Sequence, residues 1–284
     1  MQQRRLADTT VGAIGLGAMP LSVEGRPDED RAVRTVHAAL DAGVTLIDTA
    51  DAYCLGAGDV GHNERLVARA LASYGGDTSH VVVATKGGHT RPPDGSWALD
   101  GSPEHLRRAC EASLRALGVE AIGLYQYHRP DPRVPYEESV GALEELRREG
   151  KVLRVGISNA DPAQIELARG ITPLAAVQNE LSPRFRSSEP ELELCTREGV
   201  AFLPWSPLGG MGRAGAVGER HAAFGEVARE RGVSPQQVCL AWLLAKSDAV
   251  LPIPGASRPE SIRDSAAAAD LVLQPEELAR LDAA

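Results

Sequence analysis

Two kinds of hydrophobic pattern alternate along this chain. Short, nearly continuous apolar runs occur at Ala13–Leu16, Thr45–Asp48, Val81–Thr85, Ile122–Tyr125, Val152–Ile157, Ala175–Gln178, Ala201–Pro204 and Val250–Ile253. They show little polar alternation, which predicts strands buried on both faces. Between them lie longer amphipathic stretches that predict helices. Asp28–Ala42 opens on an acidic turn and stops before Gly43, and Ser102-Pro103 starts a helix that runs to Leu117 and ends at Gly118. Tyr136–Glu149 ends at Gly150, Asp161-Pro162 and Ser234-Pro235 each open a helix, and Glu189–Glu198, Ser257–Ala269 and Pro275–Ala283 complete the set. A polar cap followed by proline is a helix start, and a trailing glycine is a stop.

Eight strands, each followed by helix, predict a parallel sheet and fit an α/β fold of the (β/α)₈ TIM-barrel type. The alternative is an open doubly wound sheet. Its dinucleotide fingerprint is nearly absent, because Gly12-Ala13-Ile14-Gly15-Leu16-Gly17 has the wrong glycine spacing and no helix follows at once. No Pro/Gly/Ser linker divides the chain, so one domain over residues 1–284 is expected. Gly209–Gly218 reads as a mobile loop after the seventh strand.

Composition narrows the function classes. Of 284 residues 43% are hydrophobic and 24% charged, the globular range. No apolar run approaches the ~18 residues of a membrane span, and the N-terminus lacks an apolar leader, so a cytoplasmic protein is expected. A net charge of −9 argues against binding nucleic acid. Cys54, Cys110, Cys195 and Cys239 are widely spaced with no CxxC, so free thiols and no metal site are expected. The 30 basic residues include only three lysines, Lys86, Lys151 and Lys246, which draws attention to where lysine is used.

In a barrel, chemistry gathers at the C-terminal ends of strands. There Asp48, Tyr53, Lys86 and His128 fall on three consecutive strand ends. A free phenol, with a pKa near ~10, is too weak an acid for efficient proton transfer at neutral pH. A neighbouring ammonium stabilises phenolate and lowers that value. Lys86 can fill this part, with Asp48 holding it charged and His128 orienting a carbonyl. The set suits reversible carbonyl reduction. Each residue also has an ordinary reading: Asp48 as a loop cap, Tyr53 and His128 as packing residues, Lys86 as an ion-pair partner or Schiff-base lysine.

The sequence resembles the aldo-keto reductase family over nearly its whole length. Asp48-Thr49-Ala50-Asp51-Ala52-Tyr53 is similar to the family's Asp/Tyr signature. Gly61-His62-Asn63-Glu64-Arg65-Leu66-Val67-Ala68-Arg69-Ala70-Leu71 is similar to its G-x-x-E-x-x-[LIV]-G-x-A-L helix, with Ala68 where glycine is usual. The resemblance implies Tyr53 as general acid/base, Lys86 and Asp48 as its tuning pair, and His128 as carbonyl orienter. It also implies a cofactor side. Ser158, Asn159 and Gln178 would bond the nicotinamide carboxamide, and Trp205 would stack on its ring. Ser206, Leu208 and Gly210 would bring backbone near the pyrophosphate. Gly255, Ser257 and Arg258 would meet the adenosine phosphate, with Asp264 near the adenine. Ser261 stands where some relatives carry a phosphate-binding arginine, and Asp264-Ser265 replaces a frequent Glu-Asn pair. NADPH is expected ahead of NADH.

The implied activity is NADPH-dependent reduction of aldehydes or ketones, small-molecule carbonyl compounds, to alcohols. Two other readings are a nucleotide-sensing subunit like the potassium-channel β-subunits, disfavoured by the lack of an interaction tail, and a Schiff-base lyase using Lys86. Expected pocket walls are Met19, Tyr53, the insertion Gly87–Gly101 with Trp97, Arg129 and Trp205. Arg129 hints at an anionic substrate, and the short C-terminus at a pocket open on that side. The sequence sets no oligomeric state.

Overall fold

The short apolar runs become the staves of a barrel. A computed structural model describes residues 1–284. Its strands are β1 (Gln3–Leu6), β2 (Thr9–Gly12), β3 (Leu16–Gly17), β4 (Leu46–Asp48), β5 (Val82–Gly87), β6 (His89–Thr90), β7 (Ala98–Leu99), β8 (Leu124–Tyr127), β9 (Val155–Ser158), β10 (Leu174–Gln178) and β11 (Ala201–Phe202). Seven of them form one parallel sheet, ordered β11-β10-β9-β8-β5-β4-β3. The helices are α1 (Glu29–Asp41), α2 (His62–Ser73), α3 (Pro103–Leu117), α4 (Tyr136–Arg148), α5 (Pro162–Ile171), α6 (Glu189–Glu198), α7 (Val217–Arg220), α8 (Ala222–Arg231), α9 (Pro235–Lys246), α10 (Pro259–Ala267) and α11 (Pro275–Asp282). The expected caps are in place. Asp28, Ser102, Asp161 and Ser234 each accept a hydrogen bond from a backbone N–H of the first turn, and Gly118 ends α3 in the left-handed region.

The eighth expected strand, Val250–Ile253, is not a regular strand. It nevertheless closes the barrel. Phe202 bridges Val250 on one side and Gly17 bridges Gly255 on the other. Pro252 and Pro254 have no N–H to give, but their carbonyls accept from Gly15 and Gly17 at 2.9 and 3.0 Å. The prolines break the ladder on the donor side only. The helical ring closes as well, because α1 packs against both α2 and α10. The fold is the (β/α)₈ barrel.

Two hairpins lie outside the alternating pattern. Antiparallel β1–β2 crosses the N-terminal end of the barrel, with Asp8 at its turn paired to Arg154 at 2.5 Å. Its Leu6 and Val11 join Leu46, Val82, Ala84, Leu124, Ala176, Leu203, Leu251 and Ile253 in one buried cluster that fills the barrel interior. The other hairpin, β6–β7, sits at the opposite end, directly after the strand that carries Lys86. Gly209–Gly218 forms turns and one turn of 3₁₀ helix before α7. No helix is long and apolar enough to cross a membrane. All four cysteines are free and buried.

Candidate active site at the C-terminal rim

The residues singled out at strand ends converge. Asp48 is the last residue of β4, and Lys86 lies near the end of β5, its neighbour in the sheet. Tyr53 follows a tight turn in which its own N–H bonds Ala50 O and Gly61 N–H bonds Asp51 O. Asn63 of α2 braces that turn, accepting from Thr49 Oγ1 at 2.5 Å and donating to Ala18 O at 2.9 Å. Lys86 Nζ is fully buried and donates to Asp48 Oδ2 at 2.6 Å, to Thr49 O at 2.9 Å and to Tyr53 Oη at 3.0 Å. His128 follows β8, with its ring edge-on to Tyr53 at 5.7 Å between centroids.

Burial sets the electrostatics here. The sequence reading expects Lys86 to bring the phenol of Tyr53 below its ordinary value. The structure reverses the net direction. Burial pushes Tyr53 up, and although the Lys86 ammonium pulls it down, burial prevails. Burial likewise disfavours the charge on Lys86, but Asp48 and Tyr53 together outweigh it, through their charges and hydrogen bonds, and hold the ammonium above its usual value. Burial, with Lys86 beside it, drives His128 well below the ordinary histidine value, so it is neutral at pH 7. Its Nδ1 is buried without a partner. A sealed N–H with no acceptor is costly, which favours the tautomer with the proton on Nε2.

Two residues of this floor escaped the sequence reading. Gln126, a fully buried amide on β8, donates to Asp48 Oδ1 at 3.3 Å. A polar residue within Leu124-Tyr125-Gln126-Tyr127 was the available signal. Asp51 is buried beside Glu64, and burial and that neighbour raise its carboxyl well above the usual range.

A cavity of about 900 Å³ opens above the floor. Every sequence-predicted site residue lines it except Lys86, which lies behind Asp48 and Tyr53. Gln178 Nε2 donates to Asp48 Oδ1 at 2.8 Å, and its Oε1 has no protein partner. Ser158 Oγ donates to Gln178 O at 2.7 Å. Asn159, at φ +57°, donates to His128 O and to Ser158 Oγ, both at 3.0 Å. Trp205 faces the cavity with its Nε1 buried and unpartnered. Ser206 at φ +49° and Gly210 at φ +96° bend the chain around that end, beside Leu208. Gly255 and Ser257 lead into α10, whose N-cap is Arg258. Arg258 Nε donates to Ser261 Oγ at 2.8 Å, and no carboxylate pairs with its guanidinium. Asp264 accepts from Ser234 Oγ and Gln237 Nε2 at the start of α9.

The expected walls Met19, Trp97, Arg129 and Trp205 all line the cavity. Of the insertion, only His89 and Trp97 do so. Trp97 also holds the insertion down, because the Arg91 guanidinium lies 4.2 Å over its ring and donates to Glu24 Oε1 and Leu55 O.

A closed parallel barrel that converges a carboxylate, an ammonium, a phenol and an imidazole on one deep cavity has the architecture of a barrel enzyme. The chain belongs to the aldo/keto reductase family, whose model matches residues 13–284, and is an oxidoreductase of that family. An uncharacterised oxidoreductase of Schizosaccharomyces pombe is 33% identical over 282 residues, covering 98% of this chain and 88% of that protein. A glycerol dehydrogenase of Gluconobacter oxydans superposes with a TM-score of 0.83 at 29% identity, over 99% of this chain and 94% of that one. An aldo-keto reductase of Klebsiella pneumoniae, solved in complex with NADPH, superposes with a TM-score of 0.81 at 29% identity, over 100% and 95% of the two chains.

Proposed function

We propose that this protein is an NADPH-dependent reductase of aldehydes and ketones, acting in reverse as an alcohol dehydrogenase. The observation that carries the reading is the hydrogen-bonded chain Asp48–Lys86–Tyr53 beneath His128, at the floor of a cavity that continues to Arg258. The residues present fit the cofactor. Gln178 Oε1 is an acceptor free for a carboxamide, Trp205 offers a large flat ring, and Arg258 is an unpaired cation at a helix N-terminus, suited to a phosphate. Ser158 and Asn159 complete the carboxamide pocket. Ser206, Leu208, Gly210, Gly255 and Ser257 would flank the phosphates, with Asp264 at the adenine end. When bound, the cofactor supplies the hydride.

The chain supplies the rest. A carbonyl oxygen lodged between Tyr53 Oη and His128 Nε2 meets two donors. His128, being neutral, orients it and polarises it without competing for the proton. Tyr53 gives its proton to the oxygen as charge develops there. Lys86, held charged by Asp48, stabilises the phenolate left behind. Gln126 and Gln178 fix the Asp48 carboxylate, so the lysine has one position. In the reverse direction Tyr53 must first be phenolate, and its raised value places oxidation at alkaline pH. Following NADPH absorbance with a panel of aldehydes and ketones tests the reading directly. NADPH consumption by none of them, in protein that binds the cofactor, would refute it.

A further inference from the structure

The hairpin β6–β7 carries an imidazole into the cavity that the mechanism leaves without a task. His89 lies three residues after Lys86, beyond Gly87-Gly88. Those glycines make its position possible. Gly88 has φ +103°, and a Cβ there would come 2.9 Å from the Tyr127 ring. The chain can therefore leave the strand closely packed on β8 and turn the next side chain over the floor. The His89 ring is fixed by other rings, with Trp97 at 4.8 Å and His128 at 4.7 Å between centroids.

Neither nitrogen of His89 has a hydrogen-bond partner in the protein, and its Nδ1 is sealed from solvent. Two other histidines are treated differently: His37 Nε2 bonds Ala70 O at 2.9 Å and His62 Nδ1 bonds Ser22 Oγ at 2.8 Å. A ring held in place yet left free of protein partners is available to a ligand. As with His128, the sealed Nδ1 favours a proton on Nε2, which makes His89 a donor toward the cavity. Because the two imidazoles meet edge-on, the oxygen that His89 can reach is next to the oxygen held by His128 and Tyr53.

Resting on the reading above, we infer that His89 is a specificity-determining residue. It donates a hydrogen bond to an acceptor oxygen on the carbon adjacent to the reacting carbonyl. The favoured substrate class is then aldehydes and ketones with a neighbouring hydroxyl, alkoxy or oxo group.

Methoxyacetaldehyde and butanal provide the test, since they differ by one oxygen in place of a methylene. Their different intrinsic reactivities cancel when the ratio of kcat/KM is compared between variants. In His89→Phe, which keeps a ring between Trp97 and His128, that ratio should fall roughly tenfold, the value of one lost hydrogen bond. His89→Gln, which retains a donor, should recover part of the preference. NADPH binding by each variant, read from Trp205 fluorescence, verifies that it has folded. A ratio unchanged in His89→Phe, or equal losses for both aldehydes, overturns the inference while leaving the reductase reading intact. If the native protein binds NADPH and reduces neither aldehyde, nor any other carbonyl compound, the reductase reading fails and this inference fails with it.

Discussion

The floor of the cavity and the wall above it are held by opposite means. On the floor, β4, β5, β8 and β10 contribute Asp48, Lys86, Gln126 and Gln178, all buried. Lys86 makes three hydrogen bonds, and the Asp48 carboxylate accepts from Lys86, Gln126 and Gln178. The part of the wall that carries His89 and Trp97 is one local hairpin. Its rings meet tilted and edge-on, the Arg91 guanidinium over Trp97 ties it to Glu24 and Leu55, the His89 side chain makes no hydrogen bond, and Trp97 is 44% exposed. Strand register fixes the floor, so a small shift would disturb every partner at once. The wall can change its side chains without moving a strand. A fold divided in this way can keep one chemistry and vary its substrates.

The largest effect should come from breaking the floor at its reacting end. Tyr53→Phe is expected to lower turnover by roughly 10²–10⁴-fold, the worth of a general acid, with NADPH binding nearly intact by fluorescence titration. Turnover within a few-fold of the native protein would remove Tyr53 from the proton transfer.

Lys86→Met attacks the same chain one step back. It removes the main influence holding Tyr53 down against burial, so the phenol rises further and alcohol oxidation starts at higher pH. It also strands the Asp48 carboxylate in a buried site, at a cost of about 3–5 kcal/mol. Adding Asp48→Asn should restore much of the melting temperature without restoring activity. An unchanged pH–rate profile would argue against the Lys86–Tyr53 pairing.

Arg258 lies on neither floor nor wall, and its loss should spare both. Arg258→Ala is expected to weaken NADPH binding by roughly ten- to a hundredfold, the loss of one charge-assisted contact, with little change for NADH. Raised salt should act in the same direction on the native protein. Equal losses for the two cofactors would place Arg258 away from the 2′-phosphate and make NADH the better candidate.

Loosening the wall should have a milder effect. Arg91→Ala removes the cation over Trp97, an interaction worth about 0.5–2 kcal/mol. KM for carbonyl substrates should rise several-fold while NADPH affinity holds. Loss of NADPH affinity would show that the hairpin supports the floor as well.

The smallest effect is on the wall and is read by pH. Burial, with Arg129, Arg91 and Lys86 nearby, lowers His89 to about 4, against roughly 6.5 in an unfolded chain. Between those values the unfolded chain binds a proton that the folded one refuses, so stability falls as pH drops from about 6.5 to 4. His89→Phe should make that part of a stability–pH curve shallower by the share of one histidine, leaving the share of His128, which burial also holds well below its ordinary value. A second decline, below about 4.3, comes from carboxyls that arginine partners hold low, among them Asp131 and, at about 2, Glu144 and Glu277. It should be the same in both proteins. A slope above pH 4.3 unchanged by His89→Phe would show that His89 does not hold its neutral form by burial.

What was legible in the sequence was what local signals encode. Helix starts were readable because Asp28, Ser102, Asp161 and Ser234 cap their own first turns. The strand-end positions of Asp48, Lys86 and His128 followed from short apolar runs. The hairpin β1–β2 was not legible, because its turn places Ala7 at φ +52° without the glycine or asparagine that marks such turns. The eighth strand was legible as a run but not as an irregular one, since Pro252 and Pro254 matter only once neighbours ask for their missing N–H groups.

By itself the sequence determined the barrel and the residue types at its rim, since burial on two faces and helix capping are written in consecutive residues. Tertiary structure alone decided which amides anchor Asp48, why burial outweighs Lys86 at Tyr53, and that His89 stands free between two rings. Those outcomes are sums over side chains from strands far apart in the chain, and desolvation exists only after the strands have closed around them.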